Sequence, residues 1–192
     1  DYTDPEQKKV VIALQNDLSP NQNAQRYYKL YRKADNAAKQ LTGLIEKDRE
    51  ELRYLDSVLY ALENTEDSGD IAQIREELVA QGYLKRRAAL KNKQKTESKP
   101  RRFKSSSGFE IWVGRNNRQN DKLTLKTASK NDMWLHTKNI HGSHVIVVSD
   151  GKEISNTAIY EAARLAAYHS KARNSSQVPV DCTLVRYVSK PN

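Results

Sequence analysis

The segment GFEIWVGRNNRQNDKLTLKTASKNDMWLHTKNIHGSHVIVV, residues 108–148, decides the fold class. FEIWVG alternates as a half-buried strand does, NRQNDKLTLKTA reads as a helix, and MWLHT and HVIVVS return to strand character. Further on, SNTAIYEAARLAAYHSKAR offers Ser155 as a helix cap and Ile159, Ala162, Ala163 and Ala166 as an apolar stripe. Small side chains in such a stripe let a helix lie close on a sheet. CTLVRYV adds another strand. Residues 108–192 are therefore expected to form a small mixed α/β domain whose last strands are missing.

Upstream the pattern is helical. Asp4-Pro5-Glu6-Gln7 and Ser19-Pro20-Asn21-Gln22 each put a capping side chain before a proline at the first helical position, with Gln placed to bond back. Two helices are predicted to start there, with Tyr27, Tyr28 and Tyr31 of the second packing on Val10, Val11, Leu14 and Leu18 of the first. From Pro20 to about Asn64, Gly43 alone breaks the absence of Gly and Pro. Leu41, Ile45, Asp48, Leu52, Leu55, Leu59 and Leu62 recur at alternating steps of four and three, which is a coiled-coil seam. Ile71, Ile74, Leu78 and Leu84 mark a helix returning to about Asn92. The fold class read from these signals is α+β: a long antiparallel helical hairpin over 1–95, with an arm of about 65 Å at 1.5 Å per residue, a basic Ser-rich linker over 96–107, and the α/β domain over 108–192.

Composition narrows the functions. Apolar residues are 37% and charged residues 30%, and the mean hydropathy is −0.86. No apolar run approaches the ~18 residues of a membrane span, so no membrane insertion is expected. Cys182, the single cysteine, excludes an internal disulfide and a multi-cysteine zinc site, and its alternating surroundings suggest a half-buried strand position. The net charge of +9 is concentrated in one stretch: Lys85, Arg86, Arg87, Lys91, Lys93, Lys95, Lys99, Arg101, Arg102 and Lys104 face a single acid, Glu97. Such a density favours RNA or another anionic surface, although solvated linkers carry charge runs as well.

Three of the four histidines, His136, His141 and His144, fall within nine residues. With Asp132 they would make four metal ligands, but their spacing matches neither a helical pair nor a zinc finger. Ser143 beside His144 lacks the GxSxG elbow of a serine nucleophile. No metal, cofactor or catalytic residue is expected. Polyanion recognition uses more of the residues. Arg115, Arg118 and Lys122 supply charge, and Asn116, Asn117, Gln119 and Asn120 supply neutral donors at a helix start, where free N–H groups already favour phosphate. Trp134, His136, Lys138, Ser143 and His144 would add stacking and donors to an RNA surface. Core packing for Trp134, and turns and caps for Asn116 and Asn120, are the competing readings.

Residues 108–148, followed by EAARLAAYHSKAR and VPVDCTLV, resemble the NFACT-R domain of the Rqc2/NEMF/RqcH family, whose Gram-positive members are also called fibronectin-binding proteins. LSPNQNAQRYYKLYRKADNAAKQ resembles the start of the family's coiled-coil middle domain. The resemblance covers essentially the whole chain. It implies a factor that binds large ribosomal subunits holding stalled peptidyl-tRNA and recruits tRNA for alanine tailing, with no covalent step of its own. The hairpin would then reach the stalk base and the NFACT-R domain would face rRNA and tRNA. The family pattern has proline at His141 and tyrosine at Cys182, so His136 and His144 are expected to matter in an RNA-facing loop and His141 to be incidental. The family's N-terminal domain is expected to be missing, and the chain to be a C-terminal portion. The resemblance implies a cytoplasmic location. Its other name leaves open a cell-surface adhesin for fibronectin or fibrinogen, and the seam leaves open a dimerising scaffold.

Overall fold

A computed structural model of the chain describes residues 5, 9–65, 68–85 and 98–189. Two compact units divide it, residues 1–51 and 52–192. Of the two predicted helix starts, the one at Asp4-Pro5-Glu6-Gln7 lies, Pro5 apart, outside the described residues, and the other opens a helix. Ser19 Oγ accepts from the Gln22 N–H at 3.2 Å and Gln22 Oε1 accepts from the Ser19 N–H at 2.8 Å, the reciprocal capping box that the sequence announced. Helix α1 follows over Pro20–Glu63. Residues 9–15 have no helix. The β-branched run Val10-Val11-Ile12 loses rotamer freedom in a helix, and its side chains are exposed along with Leu14, Tyr28 and Tyr31. Buried Asn23 ties the turn before α1 instead, accepting from Gln15 N and donating to the Gln15, Leu18 and Ser19 carbonyls.

In the second unit the end of α1 packs on α2, Ser68–Ala80, but not along the predicted seam. Leu52, Leu55, Leu59 and Leu62 are exposed, while Val58 and Ala61 are buried against Ile74, with Tyr54 and Leu78 at the margin. The working face is thus turned about the helix from the leucine seam. Nor does α2 run to Asn92. Gly82, at φ +87°, closes it: the Gly82 and Tyr83 N–H groups donate to the Val79 and Leu78 carbonyls, a Schellman motif that only a left-handed residue completes. Tyr83 then stacks on Tyr54 at 5.8 Å.

Five antiparallel strands make the sheet: β1 (Arg101–Lys104), β2 (Glu110–Val113), β3 (Met133–Thr137), β4 (Val145–Val147) and β5 (Val180–Leu184), in the order β1-β2-β4-β3-β5. The stretch read as linker over 96–107 therefore contains the edge strand β1. Its cations hide the alternation, yet charge is what edge strands carry to discourage further pairing. Ile111, Val113, Leu135, Val145 and Val147 face helix α4 (Asn156–Tyr168) and bury against Ala158, Ala162 and Ala166, with Ser155 capping α4 as anticipated. Ile146 points the other way and packs with Leu123 and Val185 between the margins of Trp112 and Trp134. Cys182 is exposed rather than half-buried, because β5 is the second edge.

Helix α3 (Asn117–Lys122), extended by a π-helical turn at Leu123–Thr127, follows β2 directly through Gly114. A Cβ at Gly114 would lie 2.1 Å from Asn120 Oδ1, the atom that accepts from the His144 N–H. Gly114→Ala is expected to displace Asn120 and cost about 1–3 kcal/mol, the range for overpacking, read as a lower midpoint in denaturant unfolding.

Candidate nucleic-acid interface

The donor-rich run after β2 is taken up within the fold. Asn116 Oδ1 caps α3 by accepting from Gln119 N at 2.9 Å, while its Nδ2 donates to Gln73 Oε1 at 2.9 Å. Gln119 Nε2 donates to Gln73 Oε1 at 2.8 Å and to the Ser98 carbonyl at 2.9 Å, and its Oε1 accepts from Arg115 N at 3.2 Å. Asn117 Nδ2 donates to Ser57 Oγ at 2.7 Å, and Arg118 reaches Glu76 at 2.7 Å. Arg115 Nη1 pairs with Asp70 Oδ2 at 3.2 Å, and the Ser98 hydroxyl donates to the other oxygen of Asp70. Asp70 is 2% exposed. Five of the residues assigned to an RNA surface, Arg115 to Gln119, thus join α3 to α2, the end of α1 and Ser98. Asn116 and Gln119 are buried. The partners, Asp70 and Gln73 above all, had no signal in the sequence beyond their position on a short amphipathic helix.

Asn120 holds the other side. Its Oδ1 accepts from the His144 N–H at 3.1 Å and its Nδ2 points to the Gly142 carbonyl at 3.4 Å. The Ser143 N–H donates to the His169 carbonyl and the Lys171 N–H to the His141 carbonyl, each at 2.9 Å, so the histidine loop is stitched to the end of α4. His136 and His144 meet Trp134 in an aromatic cluster. The rings of Trp134 and His136 stack at 5.9 Å, and His144 stands edge-on to both, at 5.2 and 5.3 Å. Thr124 Oγ1 lies 2.8 Å from His144 Nδ1. Trp134 Nε1 is buried without a hydrogen-bond partner among the described residues.

Burial, with His136 beside it, pushes His144 down to about 4, and burial lowers His136 as well. Both rings are neutral near pH 7, so they offer stacking faces and neutral donors rather than cationic charge. The proton affinity of His141 is lowered by burial and by Lys171. Asp132, the would-be fourth metal ligand, accepts from Ser129 N, Ser149 N and Ser149 Oγ at 2.7–3.0 Å and fastens β3 to β4. Among the described residues no three His, Cys, Asp or Glu side chains converge as metal ligands.

What lies at the surface is a basic set. Lys122 and Lys138 are exposed, as are Lys85, Lys99, Arg102 and Lys104, with Arg101 half-buried. Arg102 lies over the Trp112 ring at 5.3 Å. Arg86, Arg87, Lys91, Lys93 and Lys95 fall outside the described residues. No helix among the described residues is long and apolar enough to cross a membrane.

Comparison with known proteins divides the chain before β1 rather than between the two compact units. Residues 1–98 match the NFACT N-terminal and middle domains, and residues 99–192 match the NFACT protein RNA binding domain. The chain belongs to the NFACT family. The family boundary at 98/99 falls just before β1, which assigns that strand to the NFACT-R domain. Among its relatives, the Rqc2 homolog RqcH of Bacillus subtilis is 42% identical over all of this chain and 33% of its own length. The RqcH proteins of Streptococcus suis and Streptococcus pneumoniae are 45% and 44% identical, over 96% and 95% of this chain. The chain spans about a third of the length of these relatives. The solved C-terminal part of the fibronectin/fibrinogen-binding protein from Streptococcus suis matches with a TM-score of 0.77 at 44% identity, covering 92% of this chain and 70% of that one.

Two outcomes test this geometry. Asp70→Asn removes the counter-charge of a largely buried guanidinium and is expected to cost about 2–3 kcal/mol of unfolding free energy, measured in denaturant. Because His144 titrates near 4 when folded and near ~6.5 when unfolded, the unfolded chain binds more protons between those values. Its contribution is complete above pH 6.5 and is lost as the pH falls toward 4. His144→Gln is expected to flatten the decline of Tm between pH 6.5 and 4.5, and a slope equal to that of the parent chain would remove His144 as its source.

Proposed function

We propose that this chain is the RNA- and ribosome-contacting portion of a ribosome-associated quality-control factor. In this reading it binds large subunits that hold a stalled peptidyl-tRNA and helps to recruit tRNA for alanine tailing of the nascent chain. It contributes binding and no covalent step; peptide-bond chemistry stays with the ribosome. The observation that carries the proposal is the order and extent of the family match: a middle domain followed by an RNA-binding domain, with RqcH relatives at 42–45% identity along nearly the whole chain. The physical chemistry agrees. The excess of nine positive charges includes exposed cations on β1 and at Lys122 and Lys138, and cationic surfaces with stacking faces suit RNA.

The geometry also changes which residues test the idea. Arg115 carries the Asp70 pair, so its loss would disturb the fold as well as any RNA contact. Lys138 and Arg102 are exposed and are better probes. Binding to large subunits carrying peptidyl-tRNA is expected to weaken steeply with salt, and Lys138→Ala with Arg102→Ala to lower the log–log slope by about 0.7–0.9 for each phosphate that is no longer neutralised. Binding that ignores salt, or no binding at all, would refute the proposal.

A further inference from the structure

A groove of about 910 Å³ runs beside α4 on the sheet. Phe103 and Lys104 of β1, Tyr160, Arg164 and Tyr168 of α4, and Arg173 of the loop that follows line it. Its size falls within the ~300–1,000 Å³ of sites that take whole small ligands. Apart from Lys104, none of these residues belongs to the set that the sequence pointed to.

Three properties of the groove act together. Tyr160, Arg164 and Tyr168 stand at i, i+4 and i+8 on α4, which aligns them as one stripe along roughly 12 Å of helix at 1.5 Å per residue. The two phenol rings are 67% and 58% exposed and Phe103 is 38% exposed, so aromatic surface is left at the solvent where packing would ordinarily hide it. Lys104, Arg164 and Arg173 bring three positive charges against one acid, Glu161. That carboxylate is turned to the β1–β2 turn, where it accepts from Ser106 N at 2.9 Å and Ser106 Oγ at 2.6 Å, and these bonds hold it ionised. Arg173 lies over the Tyr168 ring at 5.6 Å, a preformed sandwich of cation and aromatic.

We propose that this groove holds a short single-stranded RNA segment. Its bases stack on Tyr160, Tyr168 and Phe103, and its phosphates run along Lys104, Arg164 and Arg173. Alternation of flat aromatic faces with cations is the arrangement by which proteins hold single strands with little sequence preference. A duplex buries its bases and would leave the rings unused. An acidic peptide would use the cations and also leave the rings idle. The inference rests on the RNA-binding reading above and adds where the strand lies and which form of RNA is taken.

The test uses the whole 192-residue chain and fluorescence anisotropy with three probes: a labelled 12-nucleotide oligouridylate, a 12-base-pair RNA duplex and an oligoglutamate peptide. Tyr160→Ala and Tyr168→Ala remove exposed side chains and are expected to leave Tm unchanged. Each should weaken oligouridylate binding at least fivefold while changing duplex binding less than twofold. Arg164→Gln should lower the salt slope for the oligouridylate by about 0.7, the value for one single-strand phosphate. Oligoglutamate should compete poorly. Unchanged oligouridylate affinity in all three variants would overturn the groove proposal while leaving RNA binding elsewhere intact. Competition by oligoglutamate as strong as by unlabelled oligouridylate would overturn it too, since charge alone would then explain the affinity. A parent chain that binds neither RNA would refute the RNA-binding reading, and the groove proposal with it.

Discussion

A carboxylate at 2% exposure needs hydrogen-bond donors for its lone pairs, and Asp70 organises its surroundings around that requirement. The Arg115 guanidinium meets one oxygen and the Ser98 hydroxyl the other. These partners flank the same open end of the β1–β2 pair, where Arg101 faces Val113: Ser98 precedes β1 and Arg115 follows β2. Binding both, Asp70 sets where the first hairpin of the sheet lies against α2. Gln73 and Gln119 complete the junction with hydrogen bonds that use both the oxygen and the nitrogen of each side-chain amide. A network of this kind specifies one arrangement because a shifted register would leave several buried groups unmatched at once.

The same junction explains why α2 meets α1 through Tyr54, Val58 and Ala61 rather than through the leucine seam. The polar face of α2, with Asp70, Gln73, Glu76 and Glu77, is claimed by α3 and by Arg115 and Asn116 just before it. Ile74 and Leu78 can then point only where α1 presents Val58 and Ala61. Hydrophobic burial by a thirteen-residue helix is modest, and polar partners that cannot be left unsatisfied outrank it in choosing the helix orientation.

Charge and aromaticity are distributed by the same logic. Where the sheet is covered, by α4 on one face and by the π-helical turn on part of the other, the strands show apolar alternation and the histidines beside Trp134 are neutral. Where it is open, at β1 and along the outer side of α4, cations stand next to aromatic rings: Arg102 on Trp112, Arg173 on Tyr168. An edge strand loaded with Arg and Lys resists pairing with another chain and at the same time gives an anionic polymer a place to lie.

Periodicity and local capping made much of the fold legible in the sequence. The box at Ser19–Gln22, the cap at Ser155, the small-residue stripe of α4 and the alternation of β2, β3 and β4 are short-range signals, and each appears where its chemistry put it. Gly82 was equally local evidence for the end of α2, but its meaning depends on a left-handed conformation that composition does not display. The order of the strands, the membership of β1 in the sheet and the azimuth of α2 were decided by tertiary structure, because they depend on pairings between residues far apart along the chain. So was the fate of GRNNRQN. Arg, Asn and Gln donors suit a phosphate and a neighbouring helix equally well, and only the fold, by placing Asp70, Gln73, Ser57 and Glu76 within reach, determines which acceptors they meet.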